Sequence, residues 1–403
     1  MNATPSVDDY RWLTSADAAP WLARAAAADG GLSTVRLTAE LRRQLSAPRT
    51  HLVLEQVDLR RRARQKFDAA ERMFFTRRSL EQSTDEVVAA YKARRFPSAA
   101  TVADFCCGIG GDLLALAARG PAVGVDCDPI VAELAAANCR AVIVGKSAQA
   151  SATTEVIVAD VDATDARSFA AWHIDLDRRP QGRRTTRVEL HEPGPEAIDR
   201  LRTACANGAV KLAPAATLPA AWHDEAELEW ISRDGECRQL VCWFGGLAHD
   251  CGRRRATVIG KSADTVRTIV GRAAEEPSLA PSLGAYIYEP DAAILAAGLS
   301  PVLAAEHGLA GITPGIAYLT GERPVADAAL DCFAVREIMP LDVRQLRGLL
   351  HARHIGRLEI KKRGVDGTPE KLRRDLKLAG TASATLILLP ISGRPTAVLA
   401  ERV

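Results

Sequence analysis

No run of this 403-residue chain approaches the roughly 18 consecutive apolar residues that a membrane-spanning helix needs. The opening MNATPSVDDY lacks the basic start and apolar core of a secretory signal. Nine cysteines are scattered along the chain and none forms a C-x-x-C pair. That odd, unspaced set argues against both a disulfide framework and a zinc site. Internal repeats are missing too, and the sole compositional bias is alanine richness. These absences set aside a membrane protein, a secreted disulfide scaffold, a metal centre and a repeat array. The expectation is a cytoplasmic protein with reduced thiols, bound to no membrane and to no metal. Its oligomeric state is left open.

What is present is globular in composition, at 47% hydrophobic and 25% charged. The length suggests about two or three domains of roughly 100–200 residues each. Net charge is +2 but unevenly placed. Residues 42–95 carry about twice as many Lys and Arg as Asp and Glu, and residues 344–377 are also basic. Such asymmetry is read either as a footprint for nucleic acid or as solvated, one-sided helices.

Four regions are predicted. Residues 1–97 read as a helical N-terminal domain, rich in alanine and poor in glycine and β-branched residues. Within it, residues 56–67 combine sparse apolar positions with a dense basic face, and Phe74, Phe75 and Leu80 offer a packing stripe. Residues 98–260 alternate strands and helices: strands end at Asp104, Asp126 and Asp160, with helices at 113–118 and 130–140 between them. This rhythm predicts a mostly parallel sheet covered by helices on both faces. Asp234-Gly235 between the apolar runs 227–232 and 238–244 predicts an antiparallel hairpin that finishes the sheet. Residues 261–330 read as a connecting region. Residues 331–403 read as a small α+β domain, with strands at 334–339, 358–363, 384–389 and 395–400 and helices at 342–351 and 369–379.

The chemistry is concentrated in Asp104-Phe105-Cys106-Cys107-Gly108-Ile109-Gly110-Gly111-Asp112. Glycine lets a ligand approach the main chain closely, and open parallel sheets bind ligands at the carboxyl ends of their strands. A G-x-G-x-x-G dinucleotide fingerprint would need glycine at 113, where leucine stands. The run instead fits D-x-x-x-G-x-G-G, a form found in S-adenosylmethionine enzymes. Asp126 lies about twenty residues on, where an acid accepts ribose hydroxyls. Asp160 ends the third strand, where it can meet an adenine amino group. Three acids at successive strand ends also suit a ligand bearing a sulfonium and an ammonium. The expected cofactor residues are therefore Asp104, Cys106, Gly108, Gly110, Gly111, Asp126, Cys127, Asp160 and Val161.

On these residues the chain resembles a class I S-adenosylmethionine-dependent methyltransferase. More closely, it resembles the bacterial family that joins such a domain to a C-terminal THUMP-like domain. Further support comes from 66–82, 125–129, Asn138, 210–214, the 230–244 hairpin, 288–291, 317–320, 336–338 and 363–365. The resemblance implies a Rossmann-like core, S-adenosylmethionine as cofactor, and an RNA partner, chiefly tRNA, docked through the C-terminal domain. It also points to the segment Asp175-Leu176-Asp177-Arg178-Arg179, where the family shows D-P-x-R-R at the methyl-acceptor position. Here leucine replaces proline.

Candidate catalytic residues are accordingly Asp175 and, after an apparent strand, Lys211. Candidate RNA contacts are Arg178, Arg179 and Arg183, Arg60, Arg61 and Arg64, and Lys361, Lys362 and Arg363, because guanidinium groups grip phosphate bidentately. Each has a plainer reading. Asp175 could cap the next element, and the arginines could line a solvated face. Trp172 and His173 read as packing. Cys106 and Cys107 read as small residues that the turn needs rather than nucleophiles. His351 and His354 lack a third ligand. The expected function is methylation of an RNA base. The alternatives are a small-molecule methyltransferase and a non-catalytic cofactor-binding RNA-binding protein.

Overall fold

A computed structural model describes residues 4–28, 34–143, 154–178, 185–262, 264–273 and 276–403. Six helices open the chain: α1 Val7–Thr14, α2 Ala19–Ala28, α3 Thr34–Leu41, α4 Ala47–Ala63, α5 Arg77–Gln82 and α6 Glu86–Ala93. Side-chain oxygens cap the starts of α1, α4, α5 and α6. Ser6 and Thr76 form capping boxes, and Asp85 accepts from the Val87 and Val88 amides. Phe75 and Leu80 are buried, with Phe74 partly so. They pack with Leu59, Phe67 and Met73 against Ile109 of the glycine loop and Leu134 beyond it, so the helices and the loop share one core.

The next elements are β1 Val102–Phe105, α7 Gly111–Ala117, β2 Ala122–Asp126, α8 Pro129–Ile143, β3 Thr154–Val158, β4 Ala171–Asp175, α9 Pro195–Ala204, β5 Gly208–Leu212 and α10 Trp222–Glu225. They are followed by the hairpin β6 Glu227–Arg233 and β7 Glu236–Phe244. Strands β3-β2-β1-β4-β5 lie side by side and parallel. Strand β7 then pairs antiparallel with β5, Leu212 opposite Leu240. This is the Rossmann-like order, mostly parallel; the expected antiparallel hairpin is present but does not finish the sheet, because β6 is followed by two further strands, 254–259 and 266–271. The chain runs outward from β1 through β2 to β3, then returns to lay β4 on the other side of β1. That reversal places a topological switch point between β1 and β4. Asp234 (φ 54°) and Gly235 (φ 74°) take the left-handed angles that the tight turn demands.

Two compact units divide the chain. The first gathers residues 1–228 with 239–252 and 261–264, so helices α1–α6 and the parallel sheet belong to one body. The second holds 229–238, 253–260 and 265–403. Besides the antiparallel pair β8 Arg254–Ile259 and β9 Val266–Gly271, it builds a seven-stranded sheet. In chain order that sheet and its helices are β10 Tyr286–Pro290, α11 Ala292–Ala297, α12 Ser300–His307, β11 Ala310–Gly311, β12 Leu319–Gly321, β13 Leu330–Pro340, α13 Val343–Ala352, β14 Ile355–Lys362, α14 Pro369–Leu376, β15 Ala382–Ile391 and β16 Arg394–Arg402. The spatial order is β11-β12-β10-β13-β16-β15-β14. Only β14 and β15 run parallel, joined across α14.

Alternation gives this sheet two apolar faces. Leu386, Leu388 and Leu399 pack under α13 and α14, while Ile387, Leu389 and Val398 pack with Ile287, Tyr318 and Phe333. Strands β10–β12 come from the stretch read as connecting; they are two to five residues long, and β10 finds its partners, β12 and β13, more than thirty residues further along the chain. The helix expected over 369–379 stops at Leu376, because Lys377 turns left-handed at φ 48°.

Candidate active site

The glycine loop leaves β1 at the switch point. Cys106 (φ 51°), Gly108 (φ 57°) and Gly110 (φ 85°) carry its left-handed turns. A Cβ built on Gly108 would meet nothing within 4 Å, which leaves open space against the backbone. Asn138 of α8 staples the loop from below: its amide donates to the carbonyls of Ile109 and Phe74 and accepts from the Phe74 amide.

Asp126, at the end of β2, accepts from the Gly108 amide at 2.9 Å and from the Asp128 amide at 3.0 Å. Burial raises its pKa; the two amides partly offset this. Asp160 lies two residues beyond β3 rather than on it, because its carboxylate caps the turn 161–163 by accepting from the Asp162 amide. Val161 beside it is buried and Cys127 is exposed. Burial and the nearby Asp126 push the Cys106 thiol well up, so it is protonated at neutral pH. Cys107 is likewise raised, again chiefly by burial.

Across the switch point, Asp104 lies in register with His173 and Asp175 with Lys211. His173 Nδ1 is 2.7 Å from Asp104 Oδ1. The second carboxylate oxygen of Asp104 is buried with no hydrogen-bond partner among the described residues. Burial pushes the Asp104 carboxyl up, and His173 only partly restrains it. Lys211 Nζ sits 2.5 Å from Asp175 Oδ2 and donates to the Gln82 carbonyl at 3.2 Å. Burial works against the Lys211 charge, but Asp175 and Asp112 outweigh it and hold its pKa above the ordinary value. Asp175 and Asp112 thus hold Lys211 as a cation. Leu176, where the family has proline, is buried, and Asp177 pairs with Arg78 at 2.8 Å.

Two residues outside the sequence candidates complete the site. Lys92 of α6 is buried with its Nζ 2.7 Å from Asp112 Oδ1 and 3.3 Å from His173 Nε2. Thr84 Oγ1 donates to Asp112 Oδ2 at 2.7 Å. Burial lowers the Lys92 pKa against the pull of Asp112. Burial alone would raise Asp112, but the Lys92 ammonium beside it, with Lys211 beyond, holds it well below the carboxylate range. A sequence signal for Lys92 existed: it falls on the buried stripe Val88, Ala89, Lys92, Ala93 of a short helix.

The basic candidates are held by local partners. Arg60 donates to the Met73 carbonyl and lies over the Phe74 ring. Arg61 pairs with Asp58 and Arg64 with Glu71, each at 2.6 Å. Lys361 and Arg363 both reach Glu289, and Lys362 donates to the Gly367 carbonyl. Arg178 accepts through its carbonyl from the Thr185 amide. Arg179 and Arg183 lie outside the described residues. Glu306, His307 and Asp327 converge in the second unit, where Arg267 already bonds both acids.

A glycine loop at a switch point, followed by an acid at the next strand end, defines the class: a Rossmann-like nucleotide-cofactor enzyme core. Comparison with known proteins sharpens this. Relatives in two strains of Mycobacterium tuberculosis, H37Rv and CDC 1551 / Oshkosh, both described as uncharacterized S-adenosylmethionine-dependent methyltransferases, are each 35% identical over 323 residues, 79% of this chain and 84% of theirs. A family model described as THUMP domain-like matches residues 330–402, from β13 through β16. The crystal structure of a candidate methyltransferase from Porphyromonas gingivalis W83 shares the fold, with a TM-score of 0.73 at 21% identity over 89% of this chain and 92% of that one. The chain belongs to the S-adenosylmethionine-dependent methyltransferase family, with a C-terminal THUMP-like domain. Its cofactor is S-adenosylmethionine. The open backbone at Gly108 and the surrounding acids fit a ligand that is cationic at sulfur and rich in hydroxyl and amino donors.

Proposed function

We propose that the protein methylates a base in RNA, in the cytoplasm, with cofactor and acceptor meeting at the β1–β4 switch point. The observation that carries the acceptor side is the Asp175–Lys211 pair. Asp175 is partly exposed at the end of β4, while the fixed cation behind it neutralises the carboxylate and fixes its direction. Such a carboxylate can accept from an exocyclic amine and turn its lone pair toward the cleft, which is a positioning effect. On the cofactor side, Gly108, Gly110 and Gly111 would receive the amino-acid end against the backbone. Asp126 would hold the ribose hydroxyls, and Asp160 with Val161 the adenine. The cofactor, when bound, supplies an activated methyl group on sulfur.

The RNA reading is supported by the THUMP-like stretch 330–402 and by the basic excess of 42–95 and 344–377. In this reading residues 1–97 complete the methyltransferase core of 98–260, and 331–403, in one body with most of the stretch 261–330, dock the RNA. A base in structured RNA would have to leave its stack to reach Asp175.

Two measurements test this. Calorimetry should show S-adenosylmethionine binding that Asp126→Ala removes; equal affinity in wild type and variant would defeat the cofactor site. Incubation with total RNA and methyl-labelled cofactor should label RNA, and Asp175→Ala should abolish that label. Label confined to a small-molecule extract would replace RNA by a small acceptor. Cofactor binding with no transfer anywhere would leave a non-catalytic RNA-binding protein. RNA affinity should also fall with salt, because phosphate contacts release counterions.

A further inference from the structure

Beneath the glycine loop lies a buried chain of polar groups: Thr84, Asp112, Lys92, His173 and Asp104. It uses none of the residues that the acceptor side requires, and its donor directions can be worked out. A lysine ammonium has three protons and no acceptor lone pair. His173 Nε2, facing Lys92 at 3.3 Å, must therefore accept, so the ring is neutral and its proton sits on Nδ1. That proton is donated to Asp104 at 2.7 Å, a bond that the ionised carboxylate makes more strongly than the neutral acid. With Asp104 ionised, the charges are Asp104 and Asp112 negative, Lys92 positive and His173 neutral. Asp175 and Lys211 cancel each other beside them. One negative charge is left over, on a carboxylate whose second oxygen is buried and bare. Asp104 enters the loop and Asp112 leaves it, at the start of α7.

Resting on the cofactor-site reading above, we propose that Lys92 and His173 are positioning residues that fix one net negative charge under the glycine loop, so that the site favours the sulfonium cofactor over its neutral thioether product. Methyl transfer removes the positive charge from sulfur, and the same buried charge that drew the cofactor in then no longer holds the product. Acid should weaken this preference. Burial makes Asp104 the group that takes up a proton, facing His173 from β4, Lys92 from α6, Asp112 from α7 and Asp126 from β2.

Equilibrium binding of S-adenosylmethionine and S-adenosylhomocysteine to the full chain reads this directly. The two ligands share adenosine, ammonium and carboxylate, so those contacts cancel in the ratio of their dissociation constants. Wild type should prefer the sulfonium form. Asp112→Asn, which brings the network to neutrality, should reduce that preference by roughly tenfold. A ratio unchanged in a variant whose circular dichroism matches wild type overturns the proposal. If that variant does not fold, wild type decides alone: the preference should shrink on acidification as the network takes up a proton, and a flat ratio overturns the proposal. Asp126→Ala, run in parallel, separates the two readings. If it binds both ligands as wild type does, the site itself is misplaced; if both are lost, the site stands and the ratio judges the network.

Discussion

Replacing Lys92 with methionine would leave the Asp112 carboxylate buried against a threonine hydroxyl and a neutral imidazole. Losing one partner of a buried ion pair costs roughly 3–5 kcal/mol, because the remaining charge stays desolvated. Urea unfolding of Lys92→Met should show a loss of that order, and adding Asp112→Leu should recover much of it. A double variant as unstable as the single one would contradict the pairing. Gly108 calls for a different result. Alanine there meets open space but must hold a left-handed backbone at φ 57°, a strain of about 1–2 kcal/mol. Gly108→Ala should therefore stay folded yet lose S-adenosylmethionine affinity in calorimetry, since the new methyl group stands where a ligand would touch the chain. At this scale the places of Asp104 in β1 and Asp126 at the end of β2 were legible, because strand ends and a glycine turn leave a local pattern, whereas Asp175 was singled out by the resemblance to D-P-x-R-R. Lys92 and His173 stayed hidden as functional residues. Their partners come from other elements, and nothing near either residue names an aspartate 20 or 69 positions away.

Elements were most legible where a short-range rule fixes them. Asp234-Gly235 marked its hairpin because few residue pairs accept two left-handed angles in succession. Asp342 marked the start of α13, and its carboxylate accepts from the Arg344 and Gln345 amides. Asp342→Ala should cost about 1 kcal/mol of unfolding free energy in the second unit; an unchanged urea midpoint would show the cap to be idle. Strands β11 and β12 escaped detection for the opposite reason. With two and three residues they are too short to show alternation. They exist because β10 offers β12 a paired edge and β12 in turn offers one to β11.

At the scale of the molecule, each unit carries a carboxylate held ionised against its surroundings. Burial opposes both charges, but Lys92 overcomes it for Asp112, and the Ala329 amide, His307 and Arg267 overcome it for Asp327. A carboxyl whose pKa is lowered by folding contributes stability above its unfolded pKa and loses it as pH falls through the folded value. Stability should therefore drop on acidification below about pH 4. Asp327→Asn should destabilise more at neutral pH than at about pH 3; an equal penalty at both would refute the assignment. The alternation of strands and helices announced the parallel sheet, but not the extent of the bodies. The first unit is gathered from three separate stretches of chain, and a linear pattern carries no record of which stretches meet.

The reach of Lys92 from α6 into the loop bears on how such a protein can be taken apart. Residues 98–260 look like a cassette that could be moved to another carrier. Cut at 97, that cassette would travel with Asp112 and His173 but without the ammonium that faces them both. The portable piece of this enzyme begins at α5 or earlier, inside what a reader of domains would discard as a leader.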